Sequence, residues 1–236
     1  MGSSTESVHA VALSLGTILC SLLTGCGYAV FQTAHTEPPG KSSVAIGAAA
    51  TFNDYDQEAD RNALTNAVGD AAVRVGLTDQ IDLGIGPYLA SGAQMDVKAN
   101  VFDRRMRLAL APRAGVGASF PLYNDDRTAL AFVGAIGSYR LGEWLEPYLS
   151  LAVSDQWVRR APPDVDLAPN ESLAARQHTG NGLVRAHLGV QLSTSQRFGF
   201  LLEYGRWTPL WNDPGDNYQL AANHVVAAGV RFSGRE

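Results

Sequence analysis

The sequence predicts an all-β fold, an up-and-down antiparallel transmembrane barrel of about ten strands with eight as the alternative count, following an N-terminal export segment. Three observations carry this. From Ser42 to Phe232, apolar residues alternate at period two with small or polar ones. The links between these segments are short on one side and mostly long on the other, as in an up-and-down membrane barrel. Beyond residue 25 no apolar run approaches the roughly 20 residues that a spanning helix needs.

Composition narrows the function classes. The 236 residues carry a net charge of -5, so no basic surface is available to neutralise phosphates and nucleic acid is not an expected partner. With 24 glycines and only 17% charged residues, the chain is low in charge without a long apolar helix. Cys20 and Cys26 are its cysteines, at a spacing that is neither a metal nor a redox motif.

Residues Ala10 to Leu23 form an almost wholly apolar run of 14 residues, the length of a signal-peptide core and too short for a membrane span. The run closes on Leu23-Thr24-Gly25-Cys26. These four positions resemble the lipobox of bacterial lipoproteins. The resemblance implies a signal peptide over 1–25 and a diacylglyceryl group on the Cys26 sulfur, with no disulfide in the mature chain. Gly27, not Asp, follows the cysteine, which by the same resemblance favours the outer membrane. The alternative, an ordinary buried cysteine after a short core helix, has no amphipathic period by which to pack. After Cys26, residues up to 41 contain Pro38-Pro39-Gly40 and read as a linker, a short tether in which His35 is a solvated residue. The barrel domain is then 42–236.

Ten segments carry the alternation: 44–52, 69–77, 81–89, 93–101, 107–118, 129–139, 145–153, 183–193, 197–205 and 222–232. The segment 129–139 is apolar on both faces, so its parity stays open. Short turns are expected at 78–80, 103–105, 141–144 and 194–196. Longer links fall at 53–68, 119–128, 154–182 and 206–221, with 90–92 as the exception. An even strand number puts both chain ends on the short-turn side.

Two assignments follow for the faces. Tyr88, Tyr139, Trp144, Trp157, Tyr204, Trp207, Trp211 and Phe232 cluster near segment ends, where an interfacial girdle would place them. The face opposite the apolar one mixes glycine and alanine with Arg74, Asp82, Asp96, Lys98, Arg113, Arg185, His187, Glu203 and Arg231. Charges of both signs in a narrow lumen can pair, which gives a lumen polar network that fills the interior. Together with the terminal Val230-Arg231-Phe232, this pattern resembles small outer-membrane barrels of the porin-family or OmpA-like kind. That resemblance implies the bacterial outer membrane, with the N-terminus on the periplasmic side.

Little chemistry is legible. His187 and Glu203 are the candidate catalytic pair, since a carboxylate can orient an imidazole for acid/base work. No nucleophile accompanies them. Neither His178 nor His224 has metal-ligand spacing, and no cofactor or metal is expected. The link 154–182 is the candidate for a surface ligand, because long loops on rigid scaffolds commonly bind. The expectation is a monomeric, non-enzymatic barrel lipoprotein serving envelope structure, surface interaction or limited permeation. It would meet membrane lipid through acylated Cys26 and the barrel wall. The alternatives are a barrel hydrolase using His187 and Glu203, and a soluble periplasmic lipocalin-like binding protein.

Overall fold

Because successive side chains of a strand point to opposite faces, period-two alternation sorts this chain into an apolar and a polar surface wherever strands pair. The computed structural model describes residues 29–53, 64–88, 92–119, 127–159, 178–195, 197–212 and 223–234. Ten strands form there: β1 (Ser42–Asn53), β2 (Leu64–Gly76), β3 (Ile81–Tyr88), β4 (Gly92–Ala99) and β5 (Leu108–Ser119), then β6 (Arg127–Tyr139), β7 (Leu145–Arg159), β8 (His178–Ser193), β9 (Phe198–Asn212) and β10 (Asn223–Ser233). Each pairs antiparallel with its chain neighbour. The sheet closes where β1 meets β10, with Ser43 opposite Ser233 and Asn53 opposite Asn223. The count is thus ten, not eight.

The outer wall is apolar. Val133 is 63% exposed, and Leu188, Val116, Met95, Leu151 and Val226 are exposed around the same wall. Tyr139, Trp144, Trp157, Tyr204, Trp211 and Phe232 also point outward. Trp207 does not: it is 8% exposed and lies in the lumen, which corrects its place in the expected girdle. Its parity is that of Glu203, which β9 also turns inward. Tyr88 falls outside the described side chains. For β6 the open parity is settled: Leu130, Phe132, Ile136 and Ser138 are buried inside, while Val133 faces out.

Strands β7, β8 and β9 run to 15, 16 and 15 residues, further into the long links than the alternation reaches. Beyond the apolar belt the outward positions no longer need apolar side chains, so Arg206 and Thr208 can be exposed strand residues. The expected surface link therefore narrows, with 154–159 and 178–182 in strands and 160–177 outside the described residues.

Inside, large side chains face glycines. A Cβ on Gly115 would come within 2.5 Å of the Phe132 ring, and Gly189 and Gly205 make the same room for Tyr148 and His187. The barrel is too narrow to accept two side chains at those points. Gly115→Val should accordingly lower the melting temperature of the folded, heat-modifiable band in detergent gels, and Phe132→Ala in the same chain should recover part of the loss. Equal melting of G115V and the parent would contradict this packing.

Candidate functional site

The lumen is occupied by the chain's own N-terminal segment. Residues Val30 to Glu37 are each no more than 9% exposed, and Ala34 is wholly buried. The solvated tether expected over this stretch is not what forms. His35, expected to be a solvated linker residue, is 4% exposed. Pro38-Pro39-Gly40 makes the reversal into β1: Gly40 takes a left-handed φ of 70°, its N–H donates to the Gly76 carbonyl at 2.9 Å, and Pro39 bridges to Gly76.

A segment with no strand partner must still satisfy its backbone donors when buried. Here the barrel wall satisfies them with carboxylates. The Ala29 amide donates to Asp70 Oδ2 at 3.0 Å, and the amides of Val30 and Phe31 donate to the two oxygens of Glu203 at 2.8 and 3.1 Å. The Ala34 amide donates to Ser138 Oγ at 3.1 Å, and that of Glu37 to Asp82 Oδ2 at 3.3 Å. Carbonyls are met in turn, because Lys98 Nζ donates to the Thr33 and His35 oxygens at 2.8 and 2.9 Å. Phe31 has a φ of 43°, unusual for a residue with a Cβ, and its ring lies over Gly47. Such a conformation persists only where its surroundings fix it, and the Glu203 bond and the ring contact both do so.

Two charged clusters hold the segment. In the first, β-register places Arg74 opposite Gly84, Gly84 opposite Asp96 and Asp82 opposite Lys98. With no side chain on Gly84, the guanidinium lies between both acids, donating from Nε to Asp82 at 2.9 Å and from Nη1 to Asp96 at 3.1 Å. Lys98 completes the cluster at 3.3 Å from Asp82. Full pairing is what a buried charge requires. Beside it Arg231 bonds Glu37 of the inserted segment and donates to Gln191 at 2.8 Å.

In the second cluster His187 and Glu203 do meet, although Gly205 stands directly opposite His187 and Gly189 opposite Glu203. Nδ1 of His187 lies 2.7 Å from Glu203 Oε1, and Trp207 Nε1 donates to Nε2 at 3.1 Å. An indole only donates, so Nε2 accepts and Nδ1 carries the proton given to Glu203. Both ring nitrogens are therefore committed. Tyr148 adds a hydroxyl donor to Glu203 at 2.8 Å.

The remaining lumen cations stack. Arg113 lies over Phe132 at 4.8 Å and Arg185 over Trp207 at 4.7 Å. Sequence reasoning did not name Asp70, Ser138, Glu146 or Tyr148, though each has the inward parity of its strand. Glu146 accepts from His35 Nδ1 at 2.7 Å and from Ser138 at 2.7 Å, while His35 Nε2 reaches the Met106 carbonyl at 3.0 Å. Among the described residues no group of three or more His, Cys, Asp or Glu is arranged to hold a metal. Cys26 lies outside the described residues.

No protein-family model and no curated protein sequence matches the chain. Solved structures of similar fold include Ail, the attachment invasion locus protein of Yersinia pestis, at 12% identity and a TM-score of 0.36, covering 83% of this chain and 99% of that one. Neisserial surface protein A aligns at 9% identity with a TM-score of 0.40, over 81% of this chain and 95% of its own. The N-terminal β-barrel domain of Pseudomonas aeruginosa OprF aligns at 13% identity with a TM-score of 0.37, over 81% and 97%. The likeness is one of fold alone.

Glu203→Gln would put an amide NH2 among donors that all seek an acceptor. Turning the His187 ring to a proton on Nε2 would only set it against the Trp207 N–H. A buried donor left unsatisfied costs about 1–3 kcal/mol, so amide exchange at Val30 and Phe31 should accelerate roughly tenfold or more. Exchange across the β9–β10 ladder should stay slow. Unchanged protection of both amides in E203Q would contradict the clasp.

Proposed function

We propose that this protein is a non-enzymatic lipoprotein barrel of the bacterial outer membrane, closed by its own N-terminal segment, that serves envelope structure and surface interaction. The observation that carries this is the filled lumen. Residues 30–37 are buried in it, with amides and carbonyls bonded to the wall, so the interior is a packed polar core. Permeation would require that segment to leave.

The outer wall supports the membrane assignment. A soluble protein rarely exposes an apolar patch larger than a few hundred Å². Here Val133, Leu188, Val116, Leu110, Leu202 and others face outward around the barrel, while Asp82, Lys98 and Glu203 are inside. A soluble lipocalin-like barrel would have the opposite arrangement, an apolar interior and a charged exterior. Outward Trp144 and Trp157, near opposite ends of β7, suit the two lipid–water interfaces.

A hydrolase is disfavoured by hydrogen bonding. A general base needs a free nitrogen for the nucleophile's proton, and His187 has each nitrogen bonded. What extends past the apolar belt is the wall of β7–β9, on the side where surface contacts would be made.

The Cys26→Ala protein should remain membrane-integral and migrate as a heat-modifiable band, and the wild type should give no steady conductance in planar bilayers. Release of C26A into the soluble fraction would overturn the membrane-spanning assignment. Steady conductance would overturn the closed lumen.

A further inference from the structure

The outer wall of β9 and β10 changes character at one row. From the short-turn rim, its outward positions pair directly as Phe198 with Phe232, Phe200 with Val230, Leu202 with Ala228 and Tyr204 with Val226. The next outward pair is Arg206 with His224. Arg206 is exposed and His224 half-buried. Among the described side chains on the outward face of the strands, these two are the basic ones, and register makes them direct neighbours. Arg74, Lys98, Arg113, Arg185 and Arg231 all have the inward parity of their strands.

Height on the wall decides what this pair meets. Phe198 and Phe232 mark the short-turn edge, their ring centroids 5.2 Å apart. Arg206 lies eight residues beyond Phe198 along β9, a rise of about 20 Å at about 3.3 Å per residue and a tilt of about 40°. The apolar band of an outer-membrane barrel is about 25 Å tall, so Arg206 and His224 fall near its far edge. A cation facing lipid destabilises strongly at the midplane and hardly at all at the interface, where a long side chain reaches the phosphates. The surroundings suit an anion with an apolar tail. Ala186, small, stands opposite Arg206 on β8, and Phe52, 40% exposed, stands opposite His224 on β1. The Tyr204 hydroxyl lies 2.6 Å from His224 Nδ1, which positions the imidazole on the wall. Among the described residues, no acid occupies an outward position on β1, β8, β9 or β10. A guanidinium carries five N–H donors, so Arg206 can bond its own chain and an anion together.

We propose that Arg206 and His224 hold the phosphate of a lipid head group at the long-loop edge of the wall, with its acyl chains lying along the exposed column of Val226, Leu202 and Phe200. Phosphate is the anion that lipid presents at that height, and the guanidinium fork meets two of its oxygens. The site borders the seam where β10 closes on β1, so the bound lipid covers that closing pair from outside. It rests on the membrane-spanning reading above and is independent of Cys26.

The test places the full chain in nanodiscs of phosphatidylcholine and phosphatidic acid in equal amounts, and reads by native mass spectrometry which lipid stays on the protein. The parent is expected to retain phosphatidic acid over phosphatidylcholine, and Arg206→Gln to lower that ratio about fivefold. Arg105→Gln, which removes an exposed cation from the short-turn rim, should leave the ratio unchanged. His224→Gln replaces R206Q if the latter gives no heat-modifiable band. An equal ratio in parent and R206Q, or an equal fall in R105Q, overturns the proposal. Excess inorganic phosphate should leave the retained lipid in place, and its displacement would show a site for a free anion and overturn the lipid assignment. A parent chain with no heat-modifiable band in the discs overturns the membrane-spanning reading and the site with it. A heat-modifiable parent with no lipid preference overturns the site alone.

Discussion

The structure depends on one carboxylate. Glu203 accepts from the Val30 and Phe31 amides, the Tyr148 hydroxyl and His187. It joins β7, β8 and β9 to a segment that belongs to none of them. An acid buried among donors alone is stable only while those donors stay, and a buried amide without a strand partner is stable only while an acceptor stays. Each need answers the other. The inserted segment and the barrel interior are therefore halves of one core, and neither would be satisfied as it stands without the other.

This mutual satisfaction explains why the interior can be so charged. Arg74, Asp82, Asp96 and Lys98 would be costly in a dry lumen if any lacked a partner, since removing one member of a buried pair costs about 3–5 kcal/mol. Register supplies most of the pairing, and the inserted segment supplies the rest: Glu37 for Arg231, carbonyls for Lys98. Among the described residues, a lumen built this way is filled by paired polar side chains and by the inserted segment. Its polar residues are structural in the same sense that leucines are in a soluble core.

Most of the wall was legible from the sequence, because period-two alternation is a local signal that strand pairing turns into one apolar outer face. It failed where that apolar face ends. Arg206, Thr208 and Pro209 broke the pattern and hid the last turns of β9, and with them the inward parity of Trp207, which counting on from Tyr204 would have revealed. On β6 the alternation was masked by Leu130, Phe132 and Ile136, which are apolar yet inward, filling space that Gly115 and neighbouring small residues leave. The inserted segment was not legible at all. Its sequence is short, small and mixed in polarity, as a solvated linker would be, and the acceptors of its backbone amides lie 41 to 173 residues away. The available hint was an excess of cations among the inward positions named from sequence, where Arg74, Lys98, Arg113, Arg185 and Arg231 face the acids Asp82, Asp96 and Glu203.

The packed interior depends on residues 30–37 lying inside the closed barrel. The most direct measurement is the set of proton–proton NOEs of the Phe31 ring in lipid nanodiscs. Contacts between that ring and the Gly47 α-protons, with the Val30 and Phe31 amides protected from exchange, are the predicted result. A Phe31 ring with no contact to Gly47 and freely exchanging amides would contradict it, and would return the segment to solvent.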